Sequence, residues 1–268
     1  MKRTLLALLV AGPAWAGAWS QPAGHYYAKL SGIFYATEEA FNGMGRRQAL
    51  GMDHDRFDAA QSFLYLEYGL RPRLTLTCQG SGGTLRASSD LAESRTAGIG
   101  DVELGVKYQL TERPAVLAPV LVVKLPSGYH RDYDPPLGTG KVDVEGRLLA
   151  ARSFYPWPFY LGGEAGYRVR GGVFSNQVPL FLELGATPHP RLFAKVYLED
   201  RETLSRGRQN SGEVGGLQVS EGDYAKAGVT LAFGVGGGIW LEALAETHFA
   251  GDNIGAGNSW GLGLSYRR

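Results

Sequence analysis

Asp101-Val102-Glu103-Leu104-Gly105-Val106-Lys107-Tyr108-Gln109-Leu110 alternates without a break. Val102, Leu104, Val106, Tyr108 and Leu110 fall on one side of an extended chain, with Asp101, Glu103, Gly105, Lys107 and Gln109 on the other. A period of two marks a β-strand whose two faces meet different surroundings. The pattern returns in Val142-Val144-Gly146-Leu148-Ala150 against Lys141-Asp143-Glu145-Arg147, and in Leu192-Ala194-Val196-Leu198 against Phe193-Lys195-Tyr197-Glu199. No amphipathic helix of comparable quality competes with it.

Extending this reading along the chain predicts twelve strands, at about 24–36, 58–70, 73–81, 98–110, 115–126, 139–153, 158–169, 178–187, 192–200, 223–233, 239–249 and 258–267. Arg71-Pro72, Thr111 to Pro114, Tyr155 to Trp157, Pro188 to Arg191 and Gly234 to Gly238 make short connections of turn residues. The others, near 37–57, 82–97, 127–138, 170–177, 201–222 and 250–257, are longer and more polar. Short and long alternate throughout. A meander closed in a membrane keeps short turns on the periplasmic side and long loops outside, and an even strand number returns both chain ends to the periplasm. A soluble sandwich has similar strands but needs only one apolar core. Here nearly every strand carries both a charged and an apolar stripe. Closing the sheet puts one in a lumen and the other in lipid, and leaves no edge unpaired. The expected fold is therefore all-β, a transmembrane antiparallel up-and-down barrel of about twelve strands.

Composition removes other classes. The 268 residues hold 39 Gly, 13 Pro and a single cysteine, Cys78, with Lys+Arg 27 against Asp+Glu 26. One cysteine excludes an internal disulfide framework and any multi-thiolate metal site, and a near-neutral charge gives no basic surface for nucleic acid. Lys2 and Arg3, the apolar run Thr4 to Val10 and Ala14-Trp15-Ala16 read as a signal peptide cleaved after Ala16. The expected organisation is thus 1–16 signal peptide and 17–268 barrel domain.

Aromatic residues are expected near both rims, with Tyr26, Tyr68, Tyr108, Trp157, Phe159, Trp240 and Tyr266 at the periplasmic ends and Phe34, Tyr35, Tyr224, Phe249 and Trp260 at the others. Tyr224 and Trp240 fit a lipid-facing girdle less well, because they share strand parity with Lys226 and Glu242. An ionised group facing lipid at midplane costs about 2–4 kcal/mol. The expected lumen residues are therefore Glu67, Asp101, Glu103, Lys107, Lys124, Lys141, Asp143, Glu145, Arg147, Glu164, Arg168, Glu183, Lys195, Glu199, Lys226, Glu242 and Glu246. Both signs mix strand by strand, which favours cross-strand ion pairs over a ring of one charge. A permeable path and a lumen closed by its own salt bridges both fit that stripe.

Sites for chemistry are sparse. Gly138-Thr139-Gly140-Lys141 ends like a phosphate loop, but Val142 stands where Ser or Thr should hold Mg²⁺, and a strand follows where a helix is required. Asp53-His54-Asp55 with Asp58, and His130 with Asp132 and Asp134, read as solvated acidic loops without the spacing of a defined metal loop. His248 and Ser259 are the nearest pair to a hydrolase dyad and lack an orienting third residue. The expectation is no catalytic residue, no metal and no cofactor.

Leu66-Glu67-Tyr68-Gly69-Leu70 with Arg73-Leu74-Thr75-Leu76, then Gly98-Ile99-Gly100-Asp101-Val102-Glu103-Leu104-Gly105-Val106-Lys107-Tyr108, then Pro119 to Lys124 running into Leu125-Pro126-Ser127-Gly128, form three ordered blocks. In these the chain resembles the outer-membrane β-barrel family linked to the MetA pathway of phenol degradation, best from about 60 to 170. The resemblance implies a channel or transporter-like barrel in the bacterial outer membrane for small, often hydrophobic or aromatic compounds. It brings no catalytic residues with it. The expected partners are outer-membrane lipids, the barrel-insertion machinery and a small solute. The alternatives are a non-conducting structural or surface-interaction barrel and, behind it, a lipid hydrolase or acyltransferase.

Overall fold

In a computed structural model that describes residues 17–51, 55–130, 132–204 and 222–268, the chain is all-β. The strands are β1 (Tyr26–Thr37), β2 (Glu39–Phe41), β3 (Arg47–Ala49), β4 (Arg56–Arg71), β5 (Leu74–Ser88), β6 (Glu93–Tyr108), β7 (Val116–Leu125), β8 (Asp143–Ser153), β9 (Phe159–Val169), β10 (Gln177–His189), β11 (Leu192–Thr203), β12 (Asp223–Gly236), β13 (Ile239–Asp252), β14 (Ile254–Gly255) and β15 (Asn258–Arg267). Twelve of them close a barrel in the order β1-β15-β13-β12-β11-β10-β9-β8-β7-β6-β5-β4, with β4 returning to pair with β1. Every neighbouring pair is antiparallel. The proposed signal peptide, 1–16, lies outside the described residues.

Alternation sets which side chains face out. On β6, Leu104 and Val106 are 47% and 44% exposed while Lys107 between β5 and β7 is 2% exposed, so the apolar stripe of the deciding segment points away from the barrel axis. Each barrel strand repeats this: Leu30, Leu64, Leu76, Leu104, Leu121, Leu148, Leu161, Leu182, Val196, Leu231, Leu241 and Leu262 are all exposed, one from each strand. A continuous apolar belt of this extent is far larger than the few hundred Å² that water tolerates, and hydrocarbon solvates it instead. Phe34 stacks on Trp260 at 4.5 Å near one rim, and Tyr26 lies 5.6 Å from Tyr266 near the other.

Three features differ from the sequence reading. The segment 82–97 is not a loop: β5 and β6 continue as one hairpin to Ser88 and Glu93, held by the Arg86–Glu93 ion pair at 2.7 Å and a tight turn in which Ser89 Oγ accepts from Leu91 and Ala92. Leu85 is buried against Phe57 and Ala59, so this hairpin keeps an apolar inner side above the membrane belt. Tyr35 leaves the rim girdle and points inward onto His248; Tyr224 and Trp240 also point inward, as their parity with Lys226 and Glu242 suggests, Tyr224 onto His248 and Trp240 onto the cluster of Tyr27, Phe193 and Ala232. Lys141 sits in the connection before β8 and packs toward Gly172, because Gly140 (φ 60) turns the chain and holds Thr139 and Gly140 in the mouth until Asp143 begins the strand.

The three small strands form a separate sheet in the order β14-β2-β3. It ties the first long connection to the last through Ile254–Phe41 pairing and the bond from Ala256 N to Glu39 O.

Candidate functional site

Among the described residues the barrel interior gathers the densest set of buried charges, and it has three levels. At the end of the short turns, the segment 17–25 enters the barrel before β1 begins. Ala18 is buried among Val116, Ala118, Leu149 and Ala151, and the ring of Trp19 meets Tyr160 edge-on at 5.3 Å. Lys107 Nζ donates to the carbonyl of Gly17 and to Glu67 Oε1, both at 2.9 Å. Gln21 Nε2 donates to Glu67 Oε2 at 2.7 Å, Gln21 N to Thr75 Oγ1 at 2.9 Å, and Ser20 N to Gln109 Oε1 at 2.9 Å. Tyr65 OH adds a third donor to Glu67 at 2.7 Å. A buried carboxylate is tolerable only with such partners. Where the segment crosses β4, Gly69 exchanges bonds with Gly24 and His25, and a Cβ there would lie 2.0 Å from the carbonyl of Pro22. Together with Tyr27, Phe193, Ala232 and the rings of Tyr65, Tyr160 and Trp240, the segment fills this half of the lumen.

Above it lies a cavity of about 560 Å³. One side is charged. Arg147 pairs with Glu145 and, at 3.5 Å, with Glu164; Arg168 pairs with Glu145 and, at 3.0 Å, with Glu103. Lys195 reaches Glu183 at 3.0 Å and lies near the rings of Tyr197 and Phe181. Lys226 bridges Glu199 at 3.1 Å and Glu246 at 3.4 Å, while Tyr224 and Tyr197 donate to the same two carboxylates. The side built from β1, β4 and β5 contributes Ser31, Ile33, Phe63, Thr77 and Gln79, with Tyr27, Lys29 and Tyr65 beside them, so it carries a single charged group, Lys29. On the side of this level nearer the short turns Glu242 pairs with Lys29 at 2.7 Å.

At the mouth, Lys124 Nζ lies 2.8 Å from Asp101, 2.9 Å from Asp143 and 2.7 Å from Thr139 Oγ1. Tyr129 OH donates to Asp101 at 2.6 Å and accepts from Gly140 N at 2.7 Å. These bonds draw the connection between β7 and β8 inward, where Leu137 packs on the cluster of Phe57, Ala59 and Leu85.

Sixteen of the seventeen expected interior residues therefore stand on inward positions of barrel strands, and each has an ion-pair partner; Lys141 stands apart in its loop. Sequence reasoning missed Arg201, because the expected strand stopped at 200, and left Tyr197 and Tyr224 out of the lumen set although their parity with Lys195, Glu199 and Lys226 already placed them on that stripe. It missed Gln21 and Thr75 for want of any pattern. Of the chemical candidates, His248 lies between the rings of Tyr35 and Tyr224, while Ser259 stands opposite Glu246; among the described residues the two share no hydrogen bond. Asp53 and His54 lie outside the described residues, Asp58 is engaged by Arg56, and His130 lies edge-on to Tyr133.

No protein-family model and no curated protein matches the sequence. Among solved structures, the COG4313 outer membrane channel from Pseudomonas putida F1 superposes with a TM-score of 0.74 at 17% identity, over 95% of this chain and 99% of that one. The NanC porin gives a TM-score of 0.57 at 9% identity and the KdgM porin 0.55 at 7%, each over 89% of this chain and 98% of theirs. At such identities the likeness is one of architecture, and it establishes this chain as a twelve-stranded barrel of the kind found in outer-membrane channels and porins.

Proposed function

We propose that the protein is an outer-membrane channel for small solutes, exported by residues 1–16 and closed at rest on its periplasmic side by residues 17–21. The carrying observation is the cavity of about 560 Å³ walled by paired charges and ended by a segment that owes its place to a few hydrogen bonds and one small apolar cluster. A structural scaffold has no need for a cavity walled by charges at mid-height. The paired residues named from the sequence line the proposed path. Phe63, Tyr65, Phe181 and Tyr197 on the cavity wall support passage of compounds with an aromatic or apolar part, while the balanced ion pairs disfavour selection by net charge.

The test is conductance in planar bilayers of the barrel with and without residues 17–21. The expected result is rare, small openings in the parent and steady conductance in the shortened protein. A shortened barrel that is folded and still silent would overturn the channel reading in favour of a non-conducting scaffold.

A further inference from the structure

The periplasmic edge carries a charge pattern that passage does not use. It consists of five turns and the place where the chain end meets the start of β1. Arg71 and Arg73 occupy the β4–β5 turn, Arg113 the β6–β7 turn, Arg152 the end of β8, Arg191 the β10–β11 turn, and Arg268 follows β15; all six are exposed. Only the β12–β13 turn, built on Gly236, Gly237 and Gly238 at positive φ, lacks one. Glu112 is the single carboxylate in these turns, and it takes Arg73 at 3.2 Å. Among the described residues Arg71, Arg113, Arg152, Arg191 and Arg268 have no carboxylate within ion-pair distance. At the opposite rim, among the described residues, Arg47 pairs with Glu39, Arg56 with Glu38 and Asp58, and Arg86 with Glu93, while Arg46 and Arg95 have no carboxylate within ion-pair distance.

We propose that this ring of arginines binds the anionic headgroups of phospholipids in the inner leaflet, and so gives the barrel a selective collar of anionic lipid. Three observations fix the occupant as lipid. The cations encircle the barrel, as an annulus of headgroups does, and are not gathered in one patch as a protein partner needs. Exposed rings share their level: Tyr68, Tyr108, Tyr155 and Trp157 are 45–68% exposed, and Arg152 lies over the ring of Phe154 at 5.4 Å. Aromatic rings of this kind sit at headgroup depth, and a guanidinium grips a phosphate through two parallel hydrogen bonds. Finally, Arg73 holds φ 68, a backbone state that glycine or asparagine adopts with less strain, so the turn keeps an arginine against its local preference.

The experiment embeds the full barrel in nanodiscs of equal parts phosphatidylglycerol and phosphatidylcholine, strips it with mild detergent and measures the lipid it retains. The ratio of phosphatidylglycerol to phosphatidylcholine in the retained lipid is expected to rise about fivefold above the bulk ratio at low salt, the factor given by roughly 1 kcal/mol per arginine at a charged surface, and to fall toward the bulk ratio at high salt. Replacing Arg113, Arg152, Arg191 and Arg268 by Gln should abolish it; replacing Arg46 and Arg95 at the opposite rim should not. No enrichment in the parent, or enrichment that survives the four rim substitutions, overturns the proposal. If the rim variant does not fold, the salt series on the parent decides, and an enrichment insensitive to salt overturns it equally.

Discussion

Glu67 shows how this barrel tolerates charge in its interior. It is 2% exposed and takes donors from Lys107, Gln21 and Tyr65, so its lone pairs are met by side chains from β6, β4 and the entering segment. Lys107→Met strips the counter-ion and leaves the carboxylate buried, at an expected cost of about 3–5 kcal/mol. Adding Glu67→Gln to that variant should recover a large part of the loss, read as a shift in the urea midpoint. A double variant no more stable than the single one would show that Glu67 is sustained by its other donors. The outward face obeys a different rule. Leu104→Arg places a cation against lipid and should cost about 2–4 kcal/mol of barrel stability, whereas Glu103→Gln keeps an acceptor for Arg168, which retains Glu145, and should cost little. Equal tolerance of the two in a refolding titration would mean that the strand is one residue out of register.

At the scale of elements, the twelve barrel strands were legible because alternation is a local signal, and each strand reports its two environments in its own residues. Non-local features were not legible. The β5–β6 hairpin beyond Gly82 reads as loop from its length and polar composition; its strand character comes from Leu85 packing on Phe57 and Ala59 of β4. Gly17-Ala18-Trp19-Ser20-Gln21 has no period at all, since its place is decided by partners ninety residues away such as Lys107. A trace of it existed in β7, where Val116, Ala118, Val120 and Val122 make the inward side as apolar as the outward one, as in strands covered on both faces. The inward-folded connection between β7 and β8 offers a test at this scale. Gly138→Val drives a side chain into Tyr129 OH and the Asp101 carboxylate, 2.4 and 2.8 Å from the first added carbon. In a barrel already lacking residues 17–21, this substitution should raise single-channel conductance by releasing the mouth. Unchanged conductance would place the narrowest point at the ion pairs of the cavity.

For the whole molecule, closure of the hydrogen-bonded cylinder predicts a band on denaturing gels that shifts on boiling, and recovery from the outer-membrane fraction. Recovery of the folded protein as a soluble periplasmic species would sink the membrane assignment. The interior holds both signs in pairs all the way from Glu67–Lys107 to Lys124–Asp143, so the opened channel should pass cations and anions at a ratio close to one. A reversal potential displaced strongly from zero in a salt gradient would show that one set of partners leaves the path when the channel opens.

The position of the entering segment also governs assembly. It precedes β1, and β1 is the strand that closes the cylinder against β15, with Tyr27 opposite Arg267. Once that seam is zipped, residues 17–21 are enclosed by a continuous ladder, and the way in from the side no longer exists. The segment therefore has two ways in: through the seam while the first and last strands are still apart, or through the open end of the finished cylinder beside the short turns. Pairing β1 with β15 closes the longest loop of the chain, the contact of greatest sequence separation in this topology. Closing the barrel thus delivers the segment to the end of the lumen that, in the channel proposed above, it would close, with only residues 22–25 separating it from the seam strand.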